Sequence, residues 1–461
     1  MQKYVIKAIQ VVNEGSITTT DVFIAGGKIE RIGPFTGTPE NYIEINGEGK
    51  YLLPGVIDDQ VHFREPGLTH KATIATEAKA AIAGGVTSFM EMPNTIPNAL
   101  TQELLEEKYA IAAQTSLVNY SFYMGTGNNN ADEVLKTNDK RKDVCGIKIF
   151  MGSSTGNMLV DNPNTLDKVF RESEILIATH CEDEKIIRDN LQRIKETGKQ
   201  LTAADHPIIR NEDACYESSL YAIQIAKKYN TRLHILHIST EKELQLFTNM
   251  IPLKDKRITA EVCVHHLHFT SEDYERLGNQ IKCNPAIKAP HNRQALWQGL
   301  LDDRLDVIAT DHAPHTLEEK GLFRHEGSTL SGRDEEGLYE KAHAGLPLVQ
   351  HPLLLMLYYH SQGKISLEKV VDKMSHAVAD CFQIKNRGYI REGYQADLVI
   401  VALNKISKVS KENILYKCGW SPLENFEFPA SITHTFVNGQ LVYANGNWDE
   451  SKKGERLKFD R

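Results

Sequence analysis

Five short apolar segments, far apart in the sequence, each end in a residue that could bind a metal ion. The residues are His62, Lys148, His180, His237 and Asp311. Each segment is typical of a buried strand, and a polar side chain at the exit of such a strand is costly to bury unless it serves a site. Histidine nitrogen and carboxylate oxygen are good ligands for zinc and similar divalent ions. The sequence therefore predicts that these ends meet around metal.

The segment that reaches Asp311 is the most distinctive and reads IATDHAPHTLEEK from residue 308. It starts as an apolar run and breaks at Pro314 into a polar loop, so Asp311 lies at the exit of the predicted strand. The polar stretch over residues 316–345 is too long for a simple connection, and insertions of this kind are usually functional loops. We expect residues 316–345 to form a lid over the substrate.

Lys148 requires a separate argument, because an ammonium ion repels a metal ion. It lies in the segment CGIKIFMG among apolar residues, where burial lowers the pKa of an amine. A neutral amine can add carbon dioxide and become a carbamate, an anionic ligand that is long enough to bridge two metal ions. The sequence is thus compatible with a carboxylated Lys148, and a lysine in a surface ion pair fits the same residue.

Predicted strands and helices alternate along the middle of the chain, and the strands must position these residues. Eight apolar runs are separated, in most cases, by helical stretches. Continuous apolar strands that alternate with helices favour a parallel sheet with both faces covered, and eight of them can close a barrel. We therefore predict an α/β protein with a (β/α)₈ TIM-like barrel over residues 55–385. In such barrels the chemistry lies at the C-terminal ends of the strands.

Both ends of the chain differ from this middle. Residues 1–54 and 386–461 alternate short β-favouring segments with turns, for example at Gly26-Gly27 and Asn438-Gly439. Two β-rich ends that flank a different middle predict one small β-sandwich domain built from both termini.

Composition limits the partners and the location of the protein. The net charge is -8 and no basic block offsets it, which argues against a nucleic acid partner. No apolar run approaches the roughly 18 residues that a membrane helix needs, and the start of the chain lacks the features of a secretion signal. The seven cysteines are widely spaced and odd in number, which favours a reducing compartment. We expect a cytoplasmic protein that acts on a small molecule rather than on a nucleic acid or a membrane.

Seven sequence motifs are spread along the chain. They are DDQVHFREPG from residue 58, GGVTSFMEMPNT from 84, GIKIFM from 146, ATHCED from 178, HILHIST from 234, ATDHAPHTLEEK from 309 and the closing segment from 421. These motifs resemble those of the amidohydrolase superfamily, and of dihydroorotases in particular, follow the order of that family and span nearly the whole chain. HFREPG and DHAPHTLEEK are the most specific, whereas the metal motifs alone also fit hydantoinases and allantoinases.

The resemblance implies a centre of two zinc ions with a carboxylated lysine. By motif, His62, Lys148 and Asp311 would hold one ion, and Lys148, His180 and His237 the other. A bridging hydroxide would attack a ring amide carbonyl, and Asp311 would carry its proton to the leaving nitrogen. The implied reaction is the reversible cyclisation of N-carbamoyl-L-aspartate to L-dihydroorotate in pyrimidine biosynthesis, by an enzyme that forms a homodimer.

The carboxylate of such a substrate needs hydrogen-bond donors near the same rim. Arg64 lies two residues past His62, on the same face of the strand, and can clamp a carboxylate through two hydrogen bonds. The resemblance assigns Arg64, Asn94 and His315 to substrate binding and places Asn284 in a segment that lines the substrate loop. An ion pair with the next residue would also account for Arg64, and a role in a turn would account for Asn94.

One residue departs from the family pattern. The first motif normally reads His-x-His-x-Arg, and its first position is Gln60 in this chain. Glutamine offers only a neutral amide oxygen, which is a poorer zinc ligand than imidazole. We therefore expect a weakened first metal site and one or two zinc ions per chain, with the site at His180 and His237 unchanged.

Two other functions fit parts of this pattern. A hydantoinase or an allantoinase would share the metal motifs, but its substrate lacks the carboxylate that Arg64, Asn94 and His315 would bind. A catalytically silent partner subunit resembling dihydroorotase would account for Gln60. The residues His265, His266 and His268 look like a metal cluster as well, but they follow a different strand and we do not expect them to bind metal.

Overall fold

The structure is a computed structural model that describes residues 2–34, 41–152, 158–324, 330–331 and 338–461. Two parts of the predicted lid, residues 325–329 and 332–337, lie outside the described residues. The described chain forms a closed barrel with helices around it and a mixed sheet built from both termini. This architecture confirms the predicted fold class.

The N-terminal strands belong to the mixed sheet. They are β1 (Lys3–Asn13), β2 (Ser16–Ala25), β3 (Lys28–Ile32), β4 (Tyr42–Asn46) and β5 (Tyr51–Pro54). Strand β1 pairs antiparallel with β2 and parallel with β4 and β5, so it lies at the centre of this half of the sheet. Gly26 and Gly27 both have positive φ between β2 and β3, as a tight hairpin turn requires.

The barrel wall comes next along the chain. Its strands are β6 (Val56–Val61), β7 (Val86–Glu91), β8 (Asn119–Phe122), β9 (Met124–Gly125), β10 (Ile147–Phe150), β11 (Ile177–His180), β12 (Leu233–Ile235), β13 (Ile258–Cys263) and β14 (Val307–Ala309). A single residue separates β8 from β9, so together they fill one of eight positions, and the ladders between neighbouring strands are parallel. A parallel bridge between Val61 and His312 closes the barrel.

The helices of the described residues lie mainly between these strands. They are α1 (Ile74–Ala83), α2 (Gln102–Thr115), α3 (Ala131–Leu135), α4 (Pro163–Glu172), α5 (Glu184–Glu196), α6 (His206–Ile209), α7 (Glu212–Tyr229), α8 (Val264–His268), α9 (Tyr274–Leu277), α10 (Pro290–Leu301), α11 (Leu338–Lys341), α12 (Pro352–Ser361), α13 (Leu367–Val371) and α14 (Ala377–Phe382). Side-chain caps fix several starts, since Thr101 accepts a hydrogen bond from the amide of Leu104 before α2, and Asn211 accepts one before α7. None of these helices is long and apolar enough to cross a membrane.

The strands that follow the barrel wall are β15 (Phe323–Arg324), β16 (Leu330–Ser331), β17 (Leu398–Ala402), β18 (Ser407–Lys408), β19 (Glu427–Phe428), β20 (Ser431–Val437), β21 (Gln440–Ala444) and β22 (Asn447–Trp448). Of these, β17, β20, β21 and β22 belong to the mixed sheet. Strand β17 pairs antiparallel with both β5 and β20, which joins the two ends of the chain in one sheet. Strands β15 and β16 pair with each other, as do β18 and β19.

A buried ion pair attaches α2 to the barrel. Lys108 Nζ lies 3.1 Å from Glu91 Oε2 at the end of β7, and both side chains are at most 1% exposed. Lys108 also donates a hydrogen bond to the carbonyl of Met92 at 3.0 Å. Breaking such a pair on one side leaves an uncompensated buried charge, which costs more than the intact pair contributes.

The substitution Lys108→Met is therefore expected to lower the free energy of unfolding by about 3 kcal/mol. Denaturant unfolding followed by circular dichroism measures the change. The matched control is the double variant Lys108→Met/Glu91→Leu, which removes both charges and should recover most of the loss. A double variant no more stable than Lys108→Met would contradict the expectation.

Candidate metal centre

The structure brings the predicted ligands together at one end of the barrel. His62, Lys148, His180, His237 and Asp311 all line the same small cavity. They lie in or within two residues of the C-terminal ends of β6, β10, β11, β12 and β14. Each is at most 8% exposed. The cavity is therefore lined by side chains that are among the most expensive to bury without a partner.

The backbone is strained at three positions around this cavity. Arg64 has a φ of 70°, His237 of 40° and Asp311 of 47°, all in the left-handed region that non-glycine residues seldom adopt. Each such conformation costs on the order of 1 kcal/mol or more and persists only where the surrounding structure enforces it. Strain of this kind concentrates at functional sites, which supports a site at this end of the barrel.

One side of the cavity is built around Asp311. Its Oδ1 lies 3.1 Å from His62 Nε2 and accepts a hydrogen bond of 3.1 Å from Gln60 Nε2. His62 Nδ1 lies 2.8 Å from Asn94 Oδ1. If Nδ1 carries the proton and donates to Asn94, the lone pair of Nε2 faces Asp311 and the cavity, which is the arrangement of a metal-ligating histidine.

The other side is built from two histidines and the lysine. His180 Nδ1 lies 2.9 Å from His237 Nε2. His237 Nδ1 and Lys148 Nζ are buried without a hydrogen-bond partner among the described residues, and His180 Nε2 lies 3.1 Å from Glu182 Oε2. Burial lowers the pKa of both histidines, and their mutual repulsion lowers that of His237 further, so both rings are neutral and can offer lone pairs. Two neutral imidazoles that face each other beside an unmatched buried amine fit a bound metal ion, which would accept their lone pairs.

Lys148 has the environment that carbamate formation needs. Burial lowers its pKa to about 7, so a large fraction of the amine is uncharged at neutral pH. Its Nζ lies 4.5 Å from the centroid of the Phe150 ring. An uncharged amine at the centre of a group of metal ligands is compatible with the carboxylated lysine that we expected, which stays a prediction.

Gln60 is hydrogen-bonded to Asp311 in this arrangement. Its amide nitrogen donates to Asp311, and its amide oxygen lies 3.9 Å from Cys263 Sγ. The side chain is 2% exposed and fills the position of the missing histidine with a neutral hydrogen-bond donor. The expected weakening of the first metal site has this physical basis and stays a prediction.

Arg64 lines the cavity beside the candidate ligands. Its Nε donates to the carbonyl of Pro314 at 3.2 Å, and its Nη2 lies 3.0 Å from His315 Nε2. Nη1 is buried and has no hydrogen-bond partner in the described part of the chain. Because a buried guanidinium with an unmatched donor is unfavourable, this atom is suited to an anionic group that enters the cavity.

The remaining predicted substrate residues occupy different positions. Asn284 lines the cavity, with its Oδ1 3.1 Å from His206 Nε2. Asn94 and His315 are not among the residues that line the cavity. Asn94 contacts His62, and His315 contacts Arg64. In this geometry they hold residues of the cavity wall in position.

Two buried acidic residues near the site, Glu182 and Glu261, were not predicted from the sequence. Glu182 is fully buried, forms an ion pair with Arg210 and lies 3.1 Å from His180 Nε2. Glu261 accepts a hydrogen bond of 3.0 Å from the backbone amide of His237. In the sequence, Glu261 could have been recognised as an acidic residue inside an apolar strand. Glu182 could have been recognised as an acidic residue two positions after the candidate ligand His180.

The histidines that follow β13 lie nearer to metal-binding geometry than the sequence suggested. The ligand atoms of Cys263, His265 and His266 lie within 4.8 Å of one another, and all three residues are buried. Both ring nitrogens of His265 lack a hydrogen-bond partner among the described residues. The expectation that His265 and His266 do not bind metal is untested by this geometry and stays a prediction.

Comparison with known proteins agrees with this architecture. A model of the amidohydrolase family matches residues 51–442. A dihydroorotase from Pyrococcus abyssi is 31% identical over 445 residues, which cover 96% of each chain, and one from Methanosphaera stadtmanae is 31% identical over 404 residues, 85% of each chain. The solved structure of an L-hydantoinase (dihydropyrimidinase) from Arthrobacter aurescens superimposes with a TM-score of 0.91 and 26% identity, and covers 99% of this chain and 100% of its own.

The substitution Gln60→His is expected to raise the metal content of the protein. Imidazole is a better zinc ligand than a neutral amide, so a site that is partly filled should become fully occupied, and the metal content should rise by up to about one ion per chain. Elemental analysis after removal of loosely bound metal measures the content. The control is Gln60→Leu, which has a similar size and no ligand atom. Equal metal content in all three proteins would contradict the expectation.

Proposed function

Because this chain belongs to the amidohydrolase family, we propose that it is a metal-dependent cyclic amide hydrolase that acts as a dihydroorotase. The proposed reaction is the reversible ring closure of N-carbamoyl-L-aspartate to L-dihydroorotate. The dihydroorotases that match this chain over most of its length support the proposal. The feature of the site that carries it is a guanidinium with an unmatched donor in the same cavity as the candidate metal ligands.

The substrate of a dihydroorotase is a cyclic amide that also bears a carboxylate. Nη1 of Arg64 is available to that carboxylate, while Nε and Nη2 are held by Pro314 and His315. The guanidinium is therefore fixed in place before the substrate arrives, which limits the entropy lost on binding. A ring without a carboxylate would leave Nη1 buried and unmatched, at a cost of about 1 to 3 kcal/mol.

The residues of the cavity would hold zinc in two unequal places. His180, His237 and Lys148 offer the stronger set, and His62 and Asp311 offer the weaker one. Zinc bound there would lower the pKa of water toward neutrality and polarise the amide carbonyl of the ring. Asn94, through its contact with His62 Nδ1, would keep the Nε2 lone pair turned toward the cavity.

Asp311 is the residue that we assign to proton transfer. It lies at the cavity wall, and its Oδ1 is oriented by hydrogen bonding to Gln60. In hydrolysis its carboxylate would take a proton from the attacking water and give it to the ring nitrogen as the amide bond breaks. In ring closure the same carboxylate would take the proton from the carbamoyl nitrogen and return it to the departing water.

A hydantoinase or dihydropyrimidinase activity is the second candidate. The close superposition of an L-hydantoinase over nearly the whole chain favours it. Such substrates carry the same cyclic amide without the carboxylate of dihydroorotate, so the two functions differ in their need for Arg64. The silent-subunit alternative has Gln60 alone in its favour. The three side chains that we propose for the second metal site, Lys148, His180 and His237, all line the cavity, which argues against a silent subunit.

Turnover of two substrates that differ in one group tests the proposal. The protein, loaded with zinc, is expected to hydrolyse L-dihydroorotate with a higher kcat/KM than dihydrouracil, which lacks the carboxylate. The substitution Arg64→Met should lower kcat/KM for dihydroorotate by about 100-fold, which corresponds to the loss of a charge-assisted hydrogen bond. The kcat/KM for dihydrouracil should change far less.

The control is Arg64→Lys, which keeps the charge without the paired donors and should lie between the two proteins. Metal content is measured for each variant, so that loss of metal is not mistaken for loss of substrate binding. A preference for dihydrouracil would replace dihydroorotase with the hydantoinase-type function. No turnover of either substrate by zinc-loaded protein would favour the silent subunit.

A further inference from the structure

A second group of metal-binding side chains lies inside the barrel, apart from the cavity described above. It consists of Asp59 in β6, His234 in β12 and Glu261 in β13, and each has no exposed surface. Asp59 and His234 precede His62 and His237 by three residues, which places the group further into the barrel. All three side chains come from strands, so their positions are set by the barrel wall.

The distances within this inner group match a cation site. His234 Nε2 lies 3.2 Å from Asp59 Oδ2 and 3.8 Å from Glu261 Oε2, and the three ligand atoms lie within 4.8 Å of one another. Ligands placed tetrahedrally around zinc at its usual bond lengths are about 3.4 Å apart. A divalent ion of that size therefore fits between the three side chains with little rearrangement.

The atoms that face one another have few other partners. Asp59 Oδ1 and Glu261 Oε2 make no hydrogen bond within the described part of the chain, and Asp59 Oδ2 and His234 Nε2 have only their mutual contact of 3.2 Å. Buried polar atoms are nearly always paired, and a buried carboxylate oxygen without a partner is unfavourable.

The second nitrogen of His234 is engaged as it is in metal sites. Nδ1 lies 2.7 Å from Thr259 Oγ1. When Nδ1 carries the proton and donates to Thr259, the lone pair of Nε2 is directed at Asp59 and Glu261. A ring nitrogen that is oriented in this way by a neighbouring acceptor is a recurring feature of metal-ligating histidines.

We propose that Asp59, His234 and Glu261 bind a divalent cation of the zinc or manganese class inside the barrel. Two carboxylates and one imidazole suit such ions, and the absence of exposed surface makes the site structural rather than catalytic. The ion would tie three strands together. Glu261 also accepts a hydrogen bond from the backbone amide of His237, so the ion would stabilise the backbone at that candidate ligand of the cavity. The inner site does not depend on the dihydroorotase assignment.

Metal analysis in a background without the outer ligands tests this site. The variant Lys148→Met/His180→Ala removes ligands from both positions at the cavity. We expect it to retain about one ion per chain after equilibration with zinc and removal of excess, and to lose that ion when Asp59→Asn is added. Cobalt in place of zinc should give a visible absorption band that is present in the background and absent with Asp59→Asn.

The matched control is Glu243→Gln in the same background. Glu243 is an equally buried carboxyl group, but Ser219 and Thr240 donate hydrogen bonds to it, so its loss should leave metal content unchanged. A background variant that holds no metal would overturn the proposal. So would metal content that survives Asp59→Asn, because the retained ion would then be bound elsewhere. A protonated His234 paired with Asp59 would in that case account for the group without an ion.

Anomalous diffraction from crystals of the unchanged, zinc-loaded protein decides the question if the variants fail to fold. We expect a peak at the zinc edge between Asp59, His234 and Glu261, separate from any peak at the cavity. Anomalous density at the cavity alone would overturn the proposal.

Discussion

The site depends on the closure of the barrel between its first and last strands. The backbone amide of His62 donates to the carbonyl of His312 at 2.7 Å, next to the bridge that joins Val61 and His312. This contact brings His62 within 3.1 Å of Asp311, although the two are far apart in sequence. Without it, the residues of β6 would have no fixed relation to those of β14, and Arg64 could not reach Pro314 and His315.

Closure of the barrel buries polar groups whose desolvation is unfavourable, and a bound cation would offset that cost. Lys148 Nζ and His237 Nδ1 are buried without hydrogen-bond partners among the described residues, and burial lowers the pKa of Lys148, His180 and His237 and so disfavours their charged forms. An interior of this kind is unfavourable alone and favourable around a cation. The buried polar groups and the strained backbone have the same consequence: each lowers the stability of the empty site, and the proposed function requires a site that binds metal and substrate.

The sequence predicted the parts of this structure that local pattern controls. Apolar runs separated by helices predicted the barrel, and polar residues at the strand exits predicted His62, His180 and Asp311 as neighbours. What depends on tertiary contact could not be read in this way, such as the contact of Asn94 with His62. A shift of register in β6 between Asp58 and Val61 also disturbs the alternation from which side-chain direction would be inferred. Asp59 was therefore not recognised as part of a buried group.

The most direct test of the account couples metal to chemistry on one sample. Metal-free protein is titrated with zinc in the presence of bicarbonate, and bound zinc and hydrolysis of L-dihydroorotate are measured at every point. The account predicts that activity is absent without metal and rises with occupancy of the cavity. Activity in metal-free protein, or full occupancy without hydrolysis, would contradict it.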